Sequence, residues 1–180
     1  MLIGHLPAGY LIGRALTGMV SARSTIPATP IAAARILAAM AGSVFPDIDM
    51  IYFYLVDHQR THHHLYWTHI PAFWLAACAG VLLAWAVKRQ LRPPVALWFF
   101  LLGILSHLLL DSIIGDVYWL VPFSYQPFSM FTVHPRYSPW YLNFVMHWVF
   151  GLELALVVCA AAVASLDMRR YRTRWSPRRG

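Results

Sequence analysis

Three stretches of this chain are long and apolar enough to cross a lipid bilayer, and they leave little freedom in what it can fold into. They run from Ile70 to Val87, from Val95 to about Gly115, and from Asn143 to Leu166. A spanning helix needs about 20 mostly apolar residues, and inside a bilayer only helices or closed barrels satisfy the backbone. Two further segments read as spans. Ile31 to about Val56 is apolar but broken at Pro46, because the residue before a proline, here Phe45, avoids helical geometry. Leu2 to Val20 carries His5, Pro7 and Arg14, and reads as a crossing rather than an interfacial helix. The expected fold is all-α: a polytopic membrane bundle of about five spans, one of them broken near Pro46.

The chain is 59% hydrophobic and only 12% charged, where a soluble domain carries about a quarter charged residues. Its length suits one membrane domain, residues 1–167, followed by a basic cytoplasmic tail, 168–180. The net charge of +7 does not point to nucleic acid, because the basic residues sit at the ends of apolar segments, as topology signals do. Cys78 and Cys159 lie inside apolar runs and read as small buried hydrophobes. No secretory signal peptide is expected, since no basic region precedes the first apolar stretch and Arg14 interrupts it.

With five spans and the N-terminus outside, Arg23, Arg35, Lys88, Arg89, Arg92 and the tail arginines from Arg169 to Arg179 all face inward. Arg60 and Arg136 are left outside, which is the bias the positive-inside rule requires. This places the protein in the plasma (inner) membrane with a cytoplasmic C-terminus. It also gathers the metal-type residues. His5 opens span one, Asp47 and Asp49 come late in span two, and His69 precedes span three. His107 and Asp111 fall roughly 18 and 24 Å along span four at 1.5 Å per residue. All lie toward the extracytoplasmic side.

Carboxylates and imidazoles in such surroundings are costly unless paired, hydrated or bound to a cation. His107 and Asp111, four apart, share a helix face, and read as two ligands of one ion or as a private hydrogen bond between helices. Asp47 and Asp49 would diverge on a regular helix, but the break at Pro46 can swing both to one site; the alternative is a helix cap. The tract His62-His63-His64 running on to His69 is a compositional sign of metal binding. His58, His62 and His63 read as solvated loop residues, His69 as functional, and Thr68 as a cap of the following helix.

Between Val117 and Tyr141 four prolines stand among many Tyr, Trp and Phe. This is no span but an outer-face aromatic loop, either an interfacial belt or a lid over the site. Arg14 and Glu153, at similar depth, are expected to pair. His147 and Asp116 read as interfacial.

Taken together, His5, Pro46-Asp47-Ile48-Asp49, His64-Leu65-Tyr66-Trp67-Thr68-His69, and His107 with Asp111 resemble the YdjM-like family of membrane-bound, predicted metal-dependent hydrolases. The resemblance covers roughly Met1 to Pro122. Leu65-Tyr66 stand where the family pattern has Arg-Gly. Either Arg60 or Arg136 then binds a substrate anion, or the substrate differs. The resemblance implies a metal-dependent hydrolase; the residues themselves lead us to expect a metal-activated water attacking an ester or phosphoester, with a lipid or lipid-linked substrate suggested by location. The expected metal ligands are His5, Asp47, Asp49, His69, His107 and Asp111, with His64 and Asp49 as catalytic bases. Such nitrogen and oxygen donors suit zinc first, then manganese or iron. A metal-ion or proton transporter, and a scaffold with a structural metal, are the alternatives. Membrane lipid is the expected partner; the sequence does not fix an oligomeric state.

Overall fold

A computed structural model describes residues 3–20, 29–88 and 94–175. Among these the architecture is all-helical, with seven α-helices and no strand. They are α1 (His5–Val20), α2 (Pro30–Val44), α3 (Asp49–Leu55), α4 (Pro71–Lys88), α5 (Val95–Ile114), α6 (Tyr141–Val145) and α7 (Phe150–Trp175). Three single 3-10 turns, Pro46–Ile48, His63–Leu65 and Trp67–His69, fill the joints that carry the polar motifs.

The centre of the bundle is α1, α2 and α5, packed through small residues. Thr29 caps α2, its Oγ1 accepting from Ala32 N at 3.2 Å, and Pro30 takes the first helical position. A Cβ on Gly42 would run into the Phe100 carbonyl, and one on Gly103 into the Ala39 carbonyl, so the α2 and α5 backbones all but touch. Small residues at helix interfaces permit such approach in membranes. Arg35 lies over the Phe99 ring, Ala39 meets Gly103, and Ser43 O accepts from His107 Nδ1. Each step advances four residues on both helices, so α2 and α5 run parallel. Gly9 meets Ser43 and Gly13 meets Ala39, so α1 runs antiparallel to α2.

The helix α7 packs on α1 and runs the same way. Near its start Glu153 Oε2 accepts from Ile3 N (2.6 Å) and Gly4 N (3.0 Å). Further along, Asp167 takes two hydrogen bonds from Arg14, at 2.5 and 2.9 Å. The expected Arg14–Glu153 pair is therefore corrected. Glu153 serves the unpaired amides ahead of α1, and Asp167, more than three turns later, meets the arginine.

The span count is also corrected. Among the described residues two helices are long and apolar enough to cross a bilayer, Val95–Ile114 and Phe150–Thr173. The pair Pro30–Val44 and Pro46–Leu55, bent by 52° at the proline break, makes a third if it counts as one span. Five was too many because α1 has 16 residues with Arg14 among them, and the apolar stretch Pro71–Val87 is a shorter helix. Nor does one helix run from Asn143. The short α6 ends at Val145, and α7 starts at Phe150 and continues past Leu166 through Arg169, Arg170 and Arg172. Arg23, Arg89, Arg92 and residues 176–180 lie outside the described residues. Cys159, expected to be buried, is exposed on α7, where Leu154 and Val158 are exposed too. Such an apolar outer face is what lipid, rather than water, would cover.

Candidate metal centre

The polar motifs meet at one end of the central helices. The break at Pro46 sends the chain from α2 through one 3-10 turn into α3, with Asp47 in the turn and Asp49 opening the helix. The two turns ahead of α4 carry His63, His64 and His69. His107 and Asp111 are on consecutive turns of α5, both fully buried, and His5 opens α1. All are brought together although they come from four parts of the chain.

The centre is built round His107, which groups with Asp47 and His69 on one side and with His5 and Asp111 on the other. The Nε2 nitrogens of His69 and His107 are 3.2 Å apart. His107 Nε2 lies 3.0 Å from Asp111 Oδ2 and 3.7 Å from Asp47 Oδ1. His69 Nε2 lies 3.7 Å from Asp111 Oδ2 and 3.8 Å from Asp47 Oδ1. A tetrahedral ion with ligand bonds of about 2.0–2.1 Å has ligand–ligand edges of about 3.4 Å. Among His69, His107 and Asp47 the separations of 3.2, 3.7 and 3.8 Å bracket that value. Two nitrogens that close, facing two carboxylates, form a donor set that fits a divalent transition metal.

The far side of each imidazole is engaged as well. His107 Nδ1 is 2.8 Å from Ser43 O, which can only accept, so this nitrogen carries the hydrogen and Nε2 presents its lone pair to the centre. Asp49 Oδ2 lies 2.7 Å from His69 Nδ1 and does the same for that ring. Thr68 Oγ1 donates to the same oxygen at 2.5 Å. The expected role of Thr68 as a helix cap is thus replaced by a hold on Asp49, while Trp74 Nε1 donates to Thr68 O. Asp47 and Asp49 sit on opposite nitrogens of one imidazole.

Around this core stand three more histidines. His5 Nε2 is 3.2 Å from Asp111 Oδ1, and its ring stacks on His107 with centroids 3.8 Å apart. His64 Nε2 is 3.6 Å from Asp111 Oδ2. Gly115 makes room for it, because a Cβ there would come within 2.6 Å of His64 Cε1. His63, expected to be a solvated loop residue, instead groups with His64 and His69 within metal-binding reach. The one signal for it was the histidine repeat itself, because adjacent residues of a 3-10 turn point about 120° apart and spacing alone does not bring both inward. Burial pushes His63 down to about 4 and His64 down to about 2.

A cavity of about 570 Å³ opens onto the centre. Its polar lining comes from Asp47, His62, His63, His64, Asp111, Asp116, Ser129 and Thr132, and Met50, Ile114, Val133, Trp140 and Phe144 supply the apolar part. Val133 and Trp140 belong to the aromatic loop, which therefore lies beside the site. The loop is tied down. Met130 N donates to Ser112 O and Phe131 N to Ile113 O, closing carbonyls that the end of α5 leaves open. Trp119 Nε1 donates to Ser112 Oγ. Neither Arg60 nor Arg136 is among the lining residues; Arg136 borders a separate pocket of about 200 Å³ with His134 and His147.

The family model described as YdjM inner membrane protein matches residues 1–174. No curated protein and no solved structure matches the chain.

Proposed function

From the premise that the chain belongs to the YdjM inner membrane protein family, we propose that it is a membrane-embedded, metal-dependent hydrolase acting on an ester or phosphoester bond of an amphiphilic, lipid-like substrate. One observation carries the reading: two groups of ligand-type residues, Asp47 with His69 and His107, and His5 with His107 and Asp111, share His107 at the end of a half-apolar cavity.

Asp47, His69 and His107 would hold an ion, with Asp111 and His5 beside His107, and zinc is the best match to such imidazole and carboxylate donors. A divalent metal so held supplies Lewis acidity and acidifies water at neutral pH. The protein's own part is to orient and to move protons. Asp49 and the Ser43 carbonyl fix the tautomers of His69 and His107. His5 braces Asp111 from its other oxygen. His63 and His64 line the cavity and are the proton acceptors within reach. Asp47, 40% exposed, is the ligand through which the centre meets the cavity.

The arrangement weighs against a conduit. The candidate ligands collect at one end, and farther along α1 the buried Asp167 is occupied by Arg14. The tail helix is rich in arginine, which under the positive-inside rule favours a cytoplasmic C-terminus and an extracytoplasmic site.

The reading is tested by metal analysis of the detergent-purified chain, wild type beside Asp47→Ala/His107→Ala, followed by turnover assays with Asp111→Ala. Near-stoichiometric transition metal in the wild type, lost in the double variant, together with turnover abolished by Asp111→Ala, is the expected result. No metal in either protein after reconstitution with zinc or manganese would remove the basis of the proposal.

A further inference from the structure

More ligand-type residues meet at this centre than one ion can use. They form three groups, Asp47–His69–His107, His5–His107–Asp111 and His63–His64–His69, and the ligand atoms of each group lie within 4.8 Å of one another. A tetrahedral ion takes four ligands, and the three groups together contain seven residues.

The groups cannot all be filled at once. Nδ1 of His107 is held by Ser43 O and Nδ1 of His69 by Asp49, so each ring has only Nε2 left for an ion. A single ion would sit at Asp47, His69 and His107. That group shares His107 with the second and His69 with the third, and so competes with both. The second and third groups share no residue and can be filled together. Asp47 Oδ1 then lies between them, 3.7 Å from His107 Nε2 and 3.8 Å from His69 Nε2. Asp111 Oδ2 also reaches both sides, 3.0 Å from His107 Nε2 and 3.6 Å from His64 Nε2.

A second observation points the same way. His64 is 7% exposed and His5 is 4% exposed, yet Nδ1 of each has no hydrogen-bond partner. A buried nitrogen of this kind is either a stranded polar group, at a cost, or a ligand whose ion supplies the partner. One such atom belongs to each of the two separate groups. The end of α5 is also shaped round His64, since a Cβ on Gly115 would come within 2.6 Å of its Cε1.

We infer that the centre is dinuclear, with one divalent transition-metal ion at His63, His64 and His69, a second at His5, His107 and Asp111, and Asp47 between them. This rests on the metal-dependent reading above and deepens it. His63 and His64, proton acceptors beside a single ion, become ligands when two are bound. Asp47, His63, His64 and Asp111 all line the cavity, so both groups open onto the space a substrate would enter. Paired ions in such a site supply positive charge to both the attacking and the leaving oxygen of one displacement.

The test uses the full chain in detergent. Zinc is added to saturation, excess is removed, and bound metal is measured by elemental analysis against protein concentration. About two ions per chain are expected in the wild type, as a paired site requires. His64→Ala and His5→Ala should each retain about one, because each change removes one group and leaves the other. Circular dichroism checks that both variants fold. A measurement on the wild type alone supports the count: manganese added at about two equivalents should give the electron-spin resonance of a coupled pair, and at well under one equivalent that of isolated ions. One zinc per wild-type chain at saturation, or uncoupled manganese at every loading, would overturn the inference and leave a one-ion hydrolase standing. Two ions that neither variant removes would also overturn it. Two coupled ions in a protein that cleaves neither esters nor phosphoesters would uphold the dinuclear centre and count against the hydrolase reading. A chain that binds no ion would overturn both.

Discussion

Asp49 Oδ2 lies 2.7 Å from His69 Nδ1, and that contact decides which nitrogen of His69 faces the centre. The carboxylate accepts, so Nδ1 carries the hydrogen and Nε2 keeps its lone pair. The adjacent Asp47, only two residues earlier, lies 3.8 Å from Nε2 instead. One motif thus supplies a candidate ligand and the group that prepares its neighbour.

Replacing Asp49 by asparagine separates these roles. Asparagine can still accept from Nδ1 and from Thr68, so the fold should survive. The loss of the charge lowers the basicity of the imidazole, and changes of this kind cost about 10–100-fold in metal affinity. Competition with a chromogenic chelator measures the affinity, and circular dichroism checks the fold. Unchanged affinity in Asp49→Asn would remove Asp49 from this role.

His63 provides a pH signature. Burial lowers it from its ordinary value to about 4, so between pH 4 and 6.5 the unfolded chain holds a proton that the folded chain refuses. Stability therefore rises with pH through this window and levels off above 6.5. A shift of this size corresponds to about 3 kcal/mol at full effect. Denaturant unfolding of metal-free protein in detergent should show the slope, and His63→Gln should flatten its share. A variant as steep as the wild type would contradict the burial of this imidazole.

Much of this centre was legible from the sequence because spacing constrains it. His107 and Asp111 had to share a face of a helix, and Pro46 had to break α2. What spacing does not reveal is which atom points where at a break. Asp47 and Asp49 could both have swung to one ion; instead they lie on opposite nitrogens of His69. The partner of Arg14 was misjudged for a related reason. A depth counted from Asn143 puts Glu153 too far along, whereas α7 starts at Phe150 and leaves Glu153 on its first turn. His63 was passed over because a repeated histidine in a loop reads as solvated until the loop is seen folded against the bundle. The span count failed on length, since apolar composition does not say where a helix ends.

Glu153 should matter for stability and for His5 together. It is fully buried and accepts from Ile3 N and Gly4 N, directly ahead of His5. Glu153→Leu would strand these amides, each at about 1–3 kcal/mol for a buried unsatisfied group. Glu153→Gln keeps an acceptor and should cost clearly less. Unfolding in detergent ranks the two variants. Equal stability of Glu153→Leu and wild type would mean that the start of α1 is held by something else.

The close contact of α2 and α5 predicts that metal affinity depends on residues that touch no ligand. A Cβ on Gly42 would collide with the Phe100 carbonyl, a backbone atom that cannot step aside alone. Gly42→Ala must therefore push the helices apart, at a cost of about 1–3 kcal/mol for overpacking. Asp47 follows the end of α2, while His107 and Asp111 ride on α5, so the same displacement spreads the ligand set. Both stability and zinc affinity should fall. Gly151→Ala is the control, because its Cβ would meet nothing within 4 Å. That change should leave affinity alone and, near the start of α7, stabilise by about 0.5–1 kcal/mol if helix propensity decides. Thermal unfolding and chelator competition on both variants make the comparison. If Gly42→Ala weakened the fold but bound zinc as tightly as wild type, the centre would not depend on the α2–α5 spacing.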